Sequence, residues 1–248
     1  MKINPSTMGD VYDDFAKAFR EADALPTWKW VGRGAMESLL GPSFKEGATF
    51  LDLGSASARV EAGVLIPNGV KPGNITGVEI SPDQVEMAKT RIPGAHFVVG
   101  DISVVELPQG AFDVAFSHMV FEHLDDAQLL ATCKNAYRAL KPGATFAFVV
   151  THPDKMTDLN GNLVIEYGAF ETTAPWGGVL QNWRRSVSDT VRIVEEADFK
   201  VESAEDVAFP TEAPANLAGE ELAEFIKNRE KYKRYPAIRL AIRATKPV

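Results

Sequence analysis

The sequence predicts an α/β protein built on a parallel sheet, and three observations carry that expectation. An apolar run, Phe50-Leu51-Asp52-Leu53, breaks into a loop of small residues, Gly54-Ser55-Ala56-Ser57-Ala58. A second apolar run ends on an acid, Glu79, one crossover later. Strand-length apolar runs then keep alternating with helix-period segments as far as residue 150, a pattern that joins parallel strands through right-handed crossovers.

Each element has its own local reason. Residues 10–24 place Val11, Phe15, Phe19 and Ala22 on one helical face, and residues 26–40 do the same with Trp28, Val31, Ala35 and Leu39. Two amphipathic helices are therefore expected ahead of the sheet, lying over the cleft at its edge. Ser81-Pro82-Asp83-Gln84 combines a capping serine, a proline at the first helical position and a glutamine at the third, which starts a helix. Asp125 or Asp126 is expected to cap the next helix, which ends at Lys141-Pro142-Gly143. Residues 151–185 read as a long connection rich in glycine, asparagine and aromatics, the kind of segment that serves as a lid or binding loop. A helix near 186–198, a strand near 200–208, a second insertion over 209–236 with a helix within 219–231, and a closing strand over 237–243 complete the chain.

Composition narrows the partners. With 248 residues, 45% of them hydrophobic, the chain suffices for one well-buried domain over 1–248. That domain divides into a helical cap over 1–44, a core over 45–150, and lids over 151–185 and 209–236. The formal net charge of -8 argues against a surface that neutralises nucleic-acid phosphates. The one basic stretch, Lys227, Arg229, Lys231, Lys233 and Arg234, alternates with Glu230 and aromatics and reads as a solvated helix face. A single cysteine, Cys133, excludes an internal disulfide and falls at helical spacing with Leu130, Tyr137 and Leu140, as a core residue would. No apolar segment follows Met1-Lys2-Ile3-Asn4-Pro5, and the longest apolar runs are strand-length, so neither a signal peptide nor a membrane span is expected, and the cytoplasm is the default compartment.

The loop after the first strand carries the chemistry. Small residues there let the following helix aim free backbone N–H groups at a ligand, and an acid ending the next strand can accept from both ribose hydroxyls, so an adenosine-containing cofactor is expected. The pattern Asp52-x-Gly54-x-Ala56-x-Ala58 lacks the Gly-x-Gly-x-x-Gly spacing of dinucleotide sites, which disfavours a nicotinamide oxidoreductase. It resembles the Asp/Glu-x-Gly-x-Gly-x-Gly loop of class I S-adenosylmethionine-dependent methyltransferases, with alanine at the second and third glycine positions. Asn74-Ile75-Thr76-Gly77-Val78-Glu79-Ile80-Ser81, Val98-Val99-Gly100-Asp101-Ile102, the run from Phe112 to Leu124 and Leu140-Lys141-Pro142-Gly143-Ala144-Thr145-Phe146 match the same family in order.

The resemblance covers residues 45–150 closely. It implies a Rossmann-like, doubly wound, mostly parallel sheet of seven strands with an antiparallel last strand. It also implies S-adenosylmethionine as cofactor, S-adenosylhomocysteine as product, and transfer of methyl to O or N of a small molecule. Glu79 would bind the ribose and Asp101 the adenine amino group, with Ile102 against the ring and Ile80 also in contact with the cofactor. Asp52, Gly54, Ser55, Ala56, Arg59 and Ser117 would surround the rest of the cofactor, and Tyr12 would close over its carboxylate, unless it is simply an exposed helix residue.

Methyl transfer asks a protein mainly to align a nucleophile, exclude water and, where needed, take a proton. His152, in Val150-Thr151-His152-Pro153, and His118, after Ser117, are the candidate bases; the alternatives are a turn-bonded histidine and loop packing. His123, in a Glu-His-Leu element that is usually structural in the family, is a candidate substrate contact together with Tyr167, Trp176 and Trp183, which would equally serve to anchor the loop. No cluster with ligand spacing suggests a metal. A small-molecule substrate is expected, with no nucleic acid or membrane partner, and with a homodimer as the assembly to consider. The competing function is a chain that keeps the fold and cofactor but acts as a binding module, or catalyses a non-methylating step such as a cyclisation. Ala56 and Ala58 motivate it, because at positive φ each costs about 1 kcal/mol.

Overall fold

The computed structural model describes residues 25–174 and 178–248. Nine strands are found there: β1 (Phe50–Leu53), β2 (Ile75–Glu79), β3 (His96–Val99), β4 (Phe112–His118), β5 (Leu140–Thr151), β6 (Gly168–Thr173), β7 (Val179–Arg184), β8 (Lys200–Val207) and β9 (Arg239–Thr245). Every residue of β1 is buried, as a central parallel strand covered on both faces requires. Seven of the strands form one sheet in the order β3-β2-β1-β4-β5-β9-β8. The first five pair in parallel, and β9 runs antiparallel to both β5 and β8. The strand order reverses between β1 and β4, and in open α/β sheets ligands bind at that point, outside the carboxyl ends of the strands.

The helices are α1 (Arg33–Leu40), α2 (Pro82–Arg91), α3 (Asp126–Ala139), α4 (Val187–Glu196) and α5 (Gly219–Tyr232). A π-helical turn, Trp28–Gly32, leads directly into α1, and a second, Glu61–Leu65, follows β1. One sheet face is packed by α3 and α4, whose Leu129, Cys133, Ala136 and Ile193 meet Phe146 and Phe148 of β5. Burial pushes the Cys133 thiol up to about 12, so it is an inert core residue. The other face receives Met36, Leu40, Val64 and Leu65 against Phe50 and Phe116. Phe225 and Tyr232 of α5 make a smaller cluster with Val31 and Phe209.

Local signals set the helix starts. Ser81 accepts a hydrogen bond from the Gln84 N–H at 3.2 Å, with Pro82 at the first helical position. Asp125, rather than Asp126, caps α3 in a reciprocal box with Gln128, at 2.8 and 3.1 Å. The predicted helix over 26–40 is present, with Trp28, Val31, Ala35 and Leu39 all buried; the one over 10–24 lies outside the described residues. Two expectations need correction. Lys141-Pro142-Gly143 falls inside β5 and not at a helix end. The supposed unbroken connection over 151–185 contains a hairpin, β6–β7, whose cross-strand pairing Gly168↔Arg184 through Thr173↔Val179 satisfies backbone groups that an open loop would leave to solvent.

Asp125→Ala removes the acceptor of the capping box, and we expect it to lower stability by about 1 kcal/mol. Urea denaturation of the two proteins checks this, with an unchanged m-value as the sign that only the folded state is affected.

Candidate functional site

The carboxyl ends of the parallel strands open into one cavity of about 320 Å³. It is lined by Asp52 within β1 and Gly54, Ser55, Ala56 and Arg59 after it, by Glu79 at the end of β2 with Ile80 following, by Asp101 and Ile102 after β3, and by His118 at the end of β4 with Met119 following. Thr151 at the end of β5 and Arg239 at the start of β9 share this edge because they are paired residues of antiparallel strands.

The loop after β1 is held in a conformation that its sequence resists. Gly54 has φ 90°, and a Cβ built there would lie 2.4 Å from Val120 Cγ2, so only glycine fits. Ala56 at φ 45° and Ala58 at φ 61° occupy the left-handed region that penalises a side chain. The opposing force is hydrogen bonding. Glu79 Oε2 accepts from the Ala56 N–H at 3.0 Å and Glu79 Oε1 from the Ser81 N–H at 2.9 Å, while Gly54 and Ser55 N–H donate to the Val78 carbonyl at 2.8 and 3.1 Å. Asp101 Oδ1 accepts from both the N–H and the hydroxyl of Ser103, at 2.8 and 2.7 Å, which fixes its carboxylate at the cavity wall.

Beneath the loop Asp52 and Glu61 form a fully buried pair of neighbouring carboxyls. Burial, then the Glu61 charge, holds Asp52 well above the usual carboxylate range. Burial raises Glu61 to about 7. Two carboxylates cannot both ionise at such proximity without solvent, so the pair retains a proton near neutrality.

His118 lines the cavity with its ring edge-on to Trp28, centroids 5.0 Å apart. Gly32 makes room for it, since a Cβ there would lie 2.7 Å from His118 Nε2. That nitrogen is buried and has no partner among the described residues. Burial first, then the nearby charges of Arg59 and Arg239, drives the imidazole well below its usual value and keeps it neutral.

Four other sequence-derived candidates fall elsewhere. His152 does not line the cavity: its Nδ1 accepts from the Asp154 N–H at 3.2 Å and its Nε2 lies 3.1 Å from Asp206 Oδ1, so it caps the turn Pro153–Lys155 and faces β8. Ser117 is buried behind the wall, its hydroxyl donating to the Leu53 carbonyl at 2.7 Å and tying β4 to β1. Tyr167 is exposed on the hairpin under the Arg184 guanidinium, 4.5 Å from the ring centroid. Trp183 borders a separate small void beside Arg185. His123 does line the cavity, its Nδ1 lying 3.2 Å from the Gln181 carbonyl of β7, which joins its turn to the hairpin. Arg59 lies 5.7 Å from the Trp28 ring centroid, also at the wall. Tyr12 and Trp176 are outside the described residues.

Residues that sequence reasoning does not single out complete the far half. Lys155 and Arg239 both line it, with Glu122, Asn182, Tyr232 and the hairpin residues Thr172 and Thr173. Burial, reinforced by Arg239 and Lys231, lowers Lys155 to about 7. A cation opening the otherwise apolar run Leu240-Ala241-Ile242 was the only available signal for Arg239; Lys155 carried none. Among the described residues no group of acids, histidines and cysteine could hold a metal ion, and no helix is long and apolar enough to cross a membrane.

A switch-point cavity with an acid after each of β2 and β3 defines a nucleotide-binding α/β protein. Residues 51–148 match the family described as "Methyltransferase domain". In sequence over this core, and in fold over most of its length, the chain is similar to class I, Rossmann-like S-adenosylmethionine-dependent methyltransferases. Among curated relatives, an uncharacterised methyltransferase of Synechocystis sp. is 30% identical over 102 residues, 41% of this chain and 48% of that protein. The chain thus spans less than half the length of the curated relatives it first matches. In structure it is similar to the methyltransferase partner of Haloferax volcanii Trm112 (TM-score 0.70, 19% identity, 97% of each chain). It is also similar to the [4+2]-cyclase SpnF (TM-score 0.69, 16% identity, 100% of this chain and 98% of that one).

Two outcomes follow. Ala56→Gly relieves the left-handed penalty at a half-buried site and should stabilise the protein by up to about 1 kcal/mol in chemical denaturation. The Asp52–Glu61 pair holds a proton that the unfolded chain releases, so its contribution to stability declines as pH rises from the ordinary value of 4.5 through about 7. Glu61→Gln should flatten the melting temperature over that window; parallel curves for both proteins would refute the shared proton.

Proposed function

We propose that the chain is an S-adenosylmethionine-dependent methyltransferase acting on an O or N atom of a small molecule. The observation that carries this reading is that His118, a neutral imidazole, lines the same cavity as the carboxylates of Glu79 and Asp101.

The residues present fit the cofactor. The carboxylate of Glu79, held by the N–H groups of Ala56 and Ser81, lines the cavity where ribose hydroxyls would donate to it. Asp101 is held ready for the adenine amino group, with Ile80 and Ile102 supplying apolar walls to the ring. Gly54 gives the close backbone approach that the methionine part of the ligand needs. Bound there, S-adenosylmethionine supplies a sulfonium methyl group open to in-line attack. Arg59 and Trp28 border the loop side of the cavity, and the hairpin residues Thr172, Thr173 and Leu180 close the substrate side, which excludes water. The imidazole of His118 accepts a hydrogen bond from the nucleophile's O–H or N–H and takes its proton as attack proceeds. The acidic balance and absence of a basic track favour a small substrate over a nucleic acid.

The strained alanines support a second reading, in which the loop binds the cofactor but the cavity promotes a non-methylating step such as a cyclisation. Calorimetric titration with S-adenosylmethionine, S-adenosylhomocysteine and NAD is the first test, and micromolar binding of both sulfur compounds with none of NAD is expected. Glu79→Ala should weaken that binding by roughly 1.5–3 kcal/mol through loss of charge-assisted hydrogen bonds, and unchanged affinity would remove the ribose assignment. Transfer of labelled methyl to small-molecule acceptors then separates the two readings, and its loss in His118→Ala with cofactor affinity retained is the result expected of a base.

A further inference from the structure

The far half of the cavity contains a buried cation, Arg239, one of whose nitrogens has no acceptor among the described residues. Among the described residues three arginines are at most 8% exposed: Arg184, Arg185 and Arg239. Arg184 is saturated, donating from Nε to the Pro153 carbonyl at 3.1 Å, from Nη1 to the Ile165 carbonyl at 2.7 Å, and from Nη2 to Asp154 at 3.3 Å. Arg185 likewise donates to Asp126 at 2.6 Å, to the Phe121 carbonyl at 3.1 Å and to the Leu124 carbonyl. These two hold the hairpin onto the domain. Arg239 differs: its Nη1 donates to the Ile238 carbonyl at 2.9 Å, while its Nε is the one buried guanidinium nitrogen among the described residues with no acceptor.

A guanidinium cannot shed its charge, so a buried one left without a carboxylate is expensive unless something else completes it. Lys155, a second cation on the same wall, is also without an ion-pair partner among the described residues; it lies 5.7 Å from the Tyr232 ring centroid. The carboxylate whose charge acts on both is Glu122, one oxygen of which is engaged by the strand: its Oε1 accepts from the N–H and hydroxyl of Thr151, at 3.3 and 3.1 Å. Two basic groups against one anion leave an excess of up to one positive charge in this wall. The mutual repulsion of Arg239 and Lys155, with burial, shows in the lowered lysine.

We propose that Arg239 and Lys155 form a subsite for a carboxylate, and that the small-molecule substrate of this cavity is a carboxylic acid. This rests on the reading of the cavity as a methyltransferase site. A planar carboxylate matches the fork of a guanidinium, and a monoanion balances the single excess charge where a phosphate dianion would overshoot it. Apolar Leu124, Met156 and Leu180 on the same half suit the body of such a molecule.

The test uses the full chain saturated with S-adenosylhomocysteine, titrated with two matched pairs, benzoate against benzamide and phenylacetate against phenylacetamide, observed by ligand NMR. The acids should bind ~10-fold or more tightly than the amides, and Arg239→Gln and Lys155→Gln should each abolish that preference, as expected for loss of a charged hydrogen bond. Unaltered S-adenosylhomocysteine affinity in the variants verifies that they are folded and that the cations do not serve the cofactor's own carboxylate. Acids that bind no better than amides, or a preference that survives both substitutions, would overturn the proposal while leaving the methyltransferase reading intact. So would a loss of cofactor affinity in folded Lys155→Gln, which would reassign the cations to the cofactor. Should Arg239→Gln fail to fold, Lys155→Gln decides by the same readout. No cofactor binding by the unmodified chain would instead defeat the reading on which the proposal rests.

Discussion

The Glu79 carboxylate is the interaction on which the site depends. One oxygen takes the N–H of Ala56 and the other that of Ser81, so a single side chain at the end of β2 fastens the loop after β1 to the start of α2. Without that clamp two alanines in the left-handed region, each disfavoured by about 1 kcal/mol, would relax and carry the cavity floor with them. Charge-assisted bonds of this kind are worth more than the strain they oppose, which is why the loop tolerates residues other than glycine. The same acid that would hold a ribose is thus also a structural brace.

Electrostatics beneath and beyond the loop follow from one circumstance, the exclusion of water from the strand ends. Burial keeps a proton on the Asp52–Glu61 pair, keeps His118 neutral and brings Lys155 close to half-charged at neutral pH. None of these groups would behave so on an exposed surface. The cavity therefore contains several groups whose ionisation is set by the fold, as is typical of functional sites.

Much of the scaffold was legible in the sequence because its signals are local. Ser81 and Asp125 cap helices through atoms three residues away, and the apolar runs of β1 and β4 are long enough to declare themselves. Glu79 and Asp101 were legible at the wall because each directly follows or ends its strand. What failed required partners distant in the chain. His152 was read from its place after β5, but Asp206, 54 residues later, draws its ring away. Ser117 was read as facing a ligand, and the parallel pairing of β1 with β4 turns it to the Leu53 carbonyl. Tyr167 and Trp183 follow the hairpin register, which composition does not encode. Lys155 and Arg239 gain meaning only when β9 lies beside β5.

That last pairing has a consequence for how the molecule comes into being. Arg239 reaches the cavity because β9 inserts between β5 and β8, so a wall residue is supplied by the final strand of the sheet. During synthesis Glu79, Asp101 and His118, at the ends of β2, β3 and β4, leave the ribosome well before it does. The nucleotide half of the cavity can form early, whereas the half containing Arg239 must wait for the strand that closes the sheet, and until then β5 presents an unpaired edge.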